Sequence, residues 1–281
     1  MVKRKHPDRT STQASQPIGA KKTHWNKSAG HKPAGGTEAD SQWLYGLHAV
    51  VAALRNPDRQ KLQLFATSNA ALSLAEHVKV QEPVAEIKES QQIARILPTA
   101  AVHQGLALRV RPLPEPELED VCARQQGAPP NLVVVLDQLT DPHNVGAVLR
   151  SCAAFGVTAV ILTGRHAPPA SGVMAKAASG ALDMVPVVRV INLARAMEQL
   201  AELGYWRVGL DSEAPQSIAE IDLSGNIAIV LGAEGSGLRQ LTTRKCDFLA
   251  RIPASGQLAS LNVSNAAAII LYETTRRRTD G

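Results

Sequence analysis

Three short stretches concentrate side chains that can bind and orient a reacting polar group. Asp141-Pro142-His143-Asn144 leads into a segment that carries Arg150. Gly232-Ala233-Glu234-Gly235-Ser236-Gly237 sets one carboxylate among glycines. Ser260-Leu261-Asn262-Val263-Ser264-Asn265 mixes amides and hydroxyls with apolar residues. The chemistry these groups offer is hydrogen bonding and charge neutralisation. A loop acid such as Glu234 needs a donor or cationic partner if it is buried, and Arg150 is the natural candidate. Each stretch also has a plainer explanation. The glycine cluster alone is compatible with a tight turn, Glu234 with a solvated acid, and one of Asn262 and Ser264 with a helix cap. His143 and His103 are lone histidines, by default structural hydrogen-bonders.

The elements around these stretches would bring them to one edge of a sheet. Leu132–Leu136 is a continuous apolar, β-branched run, as expected of a parallel strand buried on both faces. Asp141 and Asn144 are plausible N-caps, and Pro142 can sit at the first helical position under an Asp141 cap. Val145, Val148, Leu149 and Cys152 follow helical spacing, and Gly156 ends the helix before the strand Thr158–Leu162. Further strands are expected at 184–190, 205–210, 227–231 and 247–252, with helices at 170–180 and 192–203 and a terminal helix opening near Leu261. Alternating strands and helices predict a mostly parallel α/β sheet, with polar groups at the carboxyl ends of its strands. The glycine loop follows a strand and precedes a helix, which exposes main-chain amides. Its GxxGxG spacing, late in the chain, is not the dinucleotide fingerprint.

A smaller α/β unit of about 70 residues precedes this sheet. It has an extended piece and helix at 43–54, strands at 61–67, 84–87 and 103–110, and helices at 70–80 and 90–97. Arg111–Asp120 carries three prolines and reads as a linker passing into a short helix. The expected division is a disordered basic tail at 1–40, a small domain at 41–112, a linker at 113–130 and a second domain at 131–281.

Composition narrows the class. The chain has 281 residues and a formal charge of +5. Residues 1–37 hold eight Lys and Arg against Asp8, a net of +7, so the remainder is −2. The tail therefore accounts for the basic character, and it is read either as a nonspecific phosphate grip or as a solvated solubility tail. No apolar run reaches the ~20 residues of a membrane span, and the N-terminus has no secretory apolar core. Cys122, Cys152 and Cys246 are far apart, which argues against a disulfide framework or a zinc site and fits a cytoplasmic protein.

Taken jointly, the stretches resemble the SpoU branch (TrmH-like, SPOUT class) of the trefoil-knotted RNA methyltransferases. DPHNVGAVLRSC at Asp141–Cys152, IVLGAEGSGL at Ile229–Leu238 and IPASGQLASLNVSNAAAIILYE at Ile252–Glu273 carry the resemblance. YGLHAVVAAL at Tyr45–Leu54 and HQGLAL at His103–Leu108 are similar to the family's small ribosomal-protein-like RNA-binding domain. Asn265 departs from the pattern, standing where many relatives have valine. The resemblance implies methyl transfer from S-adenosylmethionine, without a metal, to the ribose 2′-hydroxyl of a guanosine in large-subunit (23S) ribosomal RNA. It also implies a deep C-terminal trefoil knot and a homodimer. Arg150 would be the central catalytic residue, oriented by Asn144 and Glu234, with Asn262 and Ser264 holding the ribose and the knot. Leu210, Leu231, Gly232, Ile252 and Leu261 would receive the donor. The alternatives are a transfer RNA ribose methyltransferase, a noncatalytic RNA-binding assembly factor of the same fold and, on the glycine loop alone, a nucleotide-dependent reductase.

Overall fold

The computed structural model describes residues 41–79, 82–164, 167–254 and 261–280. The basic tail and Ser260 lie outside the described residues.

The first sheet is built from β1 (Gln42–Tyr45), α1 (Leu47–Arg55), β2 (Lys61–Ala66), α2 (Ser68–His77), β3 (Ala85–Ile87), α3 (Ser90–Arg95) and β4 (Leu106–Val110). Its strand order is β1-β4-β2-β3, with β4 antiparallel to both of its neighbours. The Thr67 hydroxyl accepts the Ala70 N–H and starts α2 two residues before the expected position. β4 starts three residues later than expected. Gln104 and Gly105 are left-handed, and the Gly105 N–H donates to His103 Nδ1 at 3.1 Å. His103 therefore serves a turn.

A short helix, α4 (Leu118–Cys122), precedes the second sheet. That sheet comprises β5 (Leu132–Leu136), α5 (Pro142–Ala154), β6 (Ala159–Thr163), α6 (Gly172–Ala177), β7 (Val187–Val190), α7 (Leu193–Glu202), β8 (Trp206–Leu210), β9 (Gln216–Ser217), β10 (Ile227–Leu231), α8 (Gln240–Lys245), β11 (Phe248–Arg251) and α9 (Val263–Asp280). The strand order is β7-β6-β5-β10-β8-β11-β9, and every pair is parallel. The short β9 had no counterpart among the expected strands, and β7 begins at Val187 after Pro186.

The apolar runs split by parity. Leu132, Val134 and Leu136 pack with Val145, Val148 and Leu149 of α5 and Ile270 and Leu271 of α9. Val133 and Val135 pack with Leu193, Ala196, Met197 and Leu200 of α7. Burying a strand on both faces in this way requires every residue to be apolar. Each large aliphatic side chain so buried contributes about 1.5–3 kcal/mol.

The two sheets share one core. Leu44, Val50, Leu64 and Leu108 of the first belong to the same buried cluster as Val134, Val148 and Leu162 of the second. The seam is the small-residue stretch around α6. A Cβ at Gly172 would stand 2.3 Å from the Trp43 carbonyl oxygen, and one at Gly180 would stand 2.9 Å from that of His48. Asp183 completes the seam. Its carboxylate receives Arg59 Nε at 2.8 Å and Asn56 Nδ2 at 3.1 Å. The Arg59 and Asp183 side chains are 1% and 2% exposed. Removing one member of a buried pair leaves the other charge uncompensated. Asp183→Ala is therefore expected to lower stability by about 3–5 kcal/mol in chemical denaturation. Replacing both partners with apolar residues of similar size (Arg59→Met with Asp183→Leu) should restore most of that loss.

Candidate active site

Three loops meet at the carboxyl edge of the second sheet because β10 lies between β5 and β8. The first opens α5. The Asp141 carboxylate accepts the His143 N–H at 2.9 Å, Pro142 occupies the first turn, and half-buried Asn144 follows. The second leaves β10 and folds back on itself. Ala233 and Gly237 exchange both main-chain hydrogen bonds, at 3.2 and 2.9 Å, which places Glu234, Gly235 and Ser236 at the tip. Gly235 and Gly237 have φ of 80° and 64°. A Cβ at Gly232 would fall 2.1 Å from the Gly237 carbonyl carbon, so only glycine admits this fold-back. The third loop opens α9. Asn262 Oδ1 accepts the Ser264 N–H at 2.8 Å and its hydroxyl at 2.6 Å.

The Glu234 carboxylate joins the three. Its Oε1 accepts Asn144 Nδ2 at 3.2 Å and also Asn262 Nδ2. Asn262 Nδ2 reaches Asn144 Oδ1 at 3.3 Å. Ser264, Asn262, Asn144 and Glu234 thus form one continuous network. Donors aimed at a carboxylate are among the stronger hydrogen bonds, which suits a cluster open to solvent. Asn265 is exposed on the first turn of α9.

Arg150 stands apart from this network. It is exposed and makes no side-chain hydrogen bond or ion pair among the described residues. The expected Arg150–Glu234 partnership is replaced by the two amides. Six residues of helix advance about 9 Å and turn about 240° from Asn144, which carries Arg150 to the open face of α5 shared with His143 and Ala154.

The positions expected to receive the donor come to one place. Leu210, Leu231 and Ile252 stand at or just beyond the ends of β8, β10 and β11, which are neighbours in the sheet. Gly232 follows directly, and exposed Leu261 precedes the α9 cap. Leu210 and Ile252 are half-buried. The edge therefore offers apolar surface beside main-chain groups, a donor set that fits an adenine ring better than a charged ligand.

The sequence profile of the SpoU rRNA methylase family matches residues 131–272. The chain belongs to this family. A second profile, RNA 2′-O ribose methyltransferase substrate binding, matches residues 43–116. The 23S rRNA (guanosine-2′-O-)-methyltransferase RlmB of Pseudomonas aeruginosa is 40% identical over 246 residues, covering 85% of this chain and 98% of that protein. Its namesake from Vibrio cholerae is 40% identical over 252 residues with the same coverage. Among solved structures, a TrmH-family putative RNA methyltransferase from Porphyromonas gingivalis superposes with TM-score 0.68 at 27% identity, over 85% of this chain and 91% of that one. The SpoU methyltransferase AviRb from Streptomyces viridochromogenes, solved with AdoMet, superposes with TM-score 0.73 at 24% identity, over 86% of this chain and 92% of that one. That second likeness is one of fold.

One pair in the site was not singled out from the sequence. Asp137, fully buried at the end of β5, accepts Arg239 Nε at 2.7 Å and the Arg239 N–H at 3.1 Å. Its own N–H donates to the Leu231 carbonyl at 2.8 Å. Asp137 thus anchors both ends of the glycine loop. An acid directly after an all-apolar strand was the available signal. Among the described residues no cluster of three or more His, Cys, Asp or Glu is arranged to hold a metal ion, and no helix is long and apolar enough to cross a membrane. Burial pushes the Cys122 and Cys246 thiols up to about 12, and the Cys152 thiol higher still.

Two outcomes follow from this geometry. Gly232→Ala should displace the glycine loop and abolish donor binding measured by calorimetry, while the far-ultraviolet circular dichroism stays native. The three thiols should resist a colorimetric thiol reagent at pH 8 until the chain is unfolded, because each remains protonated. Rapid labelling of Cys122 or Cys152 in the native protein would contradict their burial.

Proposed function

We propose that the chain transfers a methyl group from S-adenosylmethionine to the ribose 2′-hydroxyl of a guanosine in 23S ribosomal RNA. The observation that carries the reading is the convergence of Asn144, Glu234 and Asn262 beside the ends of β8, β10 and β11. It occurs in a chain 40% identical to RlmB along 98% of that protein.

Main-chain groups and side chains at Leu210, Leu231, Gly232, Ile252 and Leu261 hold the donor, and bound S-adenosylmethionine supplies an already activated methyl group on its sulfonium. The work left to the protein is on the ribose side. The hydroxyl must lie in line with the methyl group, and its developing negative charge must be stabilised. Arg150 is suited to the second task. Its planar guanidinium offers five N–H donors and no acceptor, so it grips the target phosphate and stabilises the oxyanion more readily than it removes a proton. Its exposure, with no partner among the described residues, leaves its donors available to RNA. Asn262 and Ser264 hold the reacting ribose, and Glu234 fixes the two asparagines against each other.

The remaining organisation follows the same reading. Residues 41–112 form the RNA substrate-binding domain, 113–130 a linker and 131–281 the methyltransferase domain. The tail at 1–40 adds electrostatic attraction to a body that is otherwise slightly acidic. Two copies pair through α5 and α9, where Ile269 and Tyr272 are exposed, and the C-terminal part of the second domain carries a trefoil knot. The protein acts in the cytoplasm, where its substrate is made.

The test is methyl transfer from labelled S-adenosylmethionine to large-subunit RNA isolated from cells that lack the protein. A single 2′-O-methylguanosine, mapped by nuclease digestion and mass spectrometry, is expected. Transfer only to transfer RNA, or to no RNA, would overturn the proposal. Arg150→Ala should keep the donor and lower kcat by about 10²–10³. Unchanged turnover would remove Arg150 from the chemistry.

A further inference from the structure

A second concave site lies on the α7–α8 side of the sheet. Its volume is about 300 Å³, and its wall includes Thr163, Ile191, Asn192, Ala194, Arg239 and Leu241. It occupies the carboxyl ends of β6 and β7, beyond β5 from the β8–β10–β11 edge that receives the donor. No role assigned above uses it.

Three features give it a donor-rich floor. Thr163 is 6% exposed, and its Oγ1 is buried without a hydrogen-bond partner among the described residues. Strand parity directs this side chain to the α7 side, because Ile161 packs with α7 whereas Leu162 packs with α5. Buried hydroxyls are normally paired, and Thr163 lines the cavity, so this unpaired hydroxyl marks where a polar ligand group would be accommodated. The second feature is the start of α7, a ten-residue helix capped by Asn192, whose Oδ1 accepts the Arg195 N–H at 3.2 Å. The other first-turn N–H groups have no intrahelical acceptor and favour an anion. The third is Arg239. Nε and Nη2 face Asp137, while Nη1 has no partner among the described residues and the side chain is 44% exposed. Asp137 is wholly buried beneath, so an incoming anion meets the guanidinium edge and not the carboxylate.

The rim has a different character. Ile191 is 88% exposed and Leu241 56% exposed. Apolar side chains beside an anion grip match a nucleotide, whose ribose and base bring apolar faces next to the phosphate. Arg239 also lies five residues after Glu234, at most about 18 Å of chain, so one strand of RNA can span both sites.

We propose that this cavity is an RNA subsite taking one nucleotide of the substrate strand near the methylated one, with its phosphate against Arg239 and the α7 start and its ribose and base over Ile191 and Leu241. The inference rests on the proposed RNA methyl transfer, yet its test does not require turnover.

The exposed rim allows the test without disturbing the core. Ile191→Glu, Ile191→Lys and Leu241→Glu are compared with the unaltered protein for equilibrium binding of a 23S RNA fragment, with S-adenosylmethionine binding measured in parallel. Both glutamate variants should weaken RNA binding roughly fivefold or more, from one like-charge contact near a surface. Ile191→Lys should tighten it and steepen the salt dependence of log K by about 0.7. Donor binding should not change. Equal RNA binding by all variants would overturn the subsite. So would equal weakening by Glu and Lys, or a change confined to the donor. Guanosine monophosphate should compete only weakly with the fragment; tight competition would make the cavity a free-nucleotide site and overturn the RNA assignment. If the unaltered protein transfers no methyl group but the charge-dependent shifts appear, the subsite stands and the proposed reaction fails.

Discussion

The hydrogen bonds that converge on the Glu234 carboxylate tie together three segments far apart in the chain. Asn144 opens α5, Glu234 tips the loop after β10, and Asn262 caps α9. These segments can meet only because β10 inserts between β5 and β8. A sheet laid out in simple sequence order would put β6 and β7 between β5 and β8 instead. The network is open to water, so the hydrogen bonds themselves add modest stability. Their effect is positional, and buried groups below make the positions durable. Gly232 admits the fold-back of the loop, and Asp137 anchors its two ends through the Leu231 carbonyl and Arg239.

The same loop faces two sides of the sheet. Glu234 belongs to the α5–α9 side, where it meets Asn144 and Asn262, and Arg239 to the α7–α8 side. A loop anchored at both ends by Asp137 keeps these two groups in fixed register. The seam between the sheets extends that rigidity. Gly172 and Gly180 bring the backbones into contact, and Asp183 receives two donors from the α1–β2 connection. A unit docked in this way holds its surface at a constant distance from the Asn144–Glu234–Asn262 network.

Much of this was legible in the residues. The apolar run Leu132–Leu136 is a buried strand at the expected bounds, because a strand covered on both faces favours apolar residues throughout. Asp141 caps α5 as its type and place suggested, because a short acid before Pro has few other uses there. Gly156, with φ of 66°, follows the last residue of that helix and its cap. The joint pattern of three polar loops was enough to identify the family, whose profile spans 131–272.

The partners of those residues were decided by the fold alone. From the sequence, Arg150 was the obvious cation for Glu234. Helical pitch instead turns Arg150 to the open face and leaves the carboxylate to two amides. Asp137 and Arg239 are 102 residues apart, and nothing local to either announces the other. The two-residue β9 carries too short a pattern to detect and exists only because β11 offers it an edge. Local periodicity reports what each segment buries, since that depends on its own side chains. Which loops then meet depends on strand order, a property of the whole sheet that no single segment encodes.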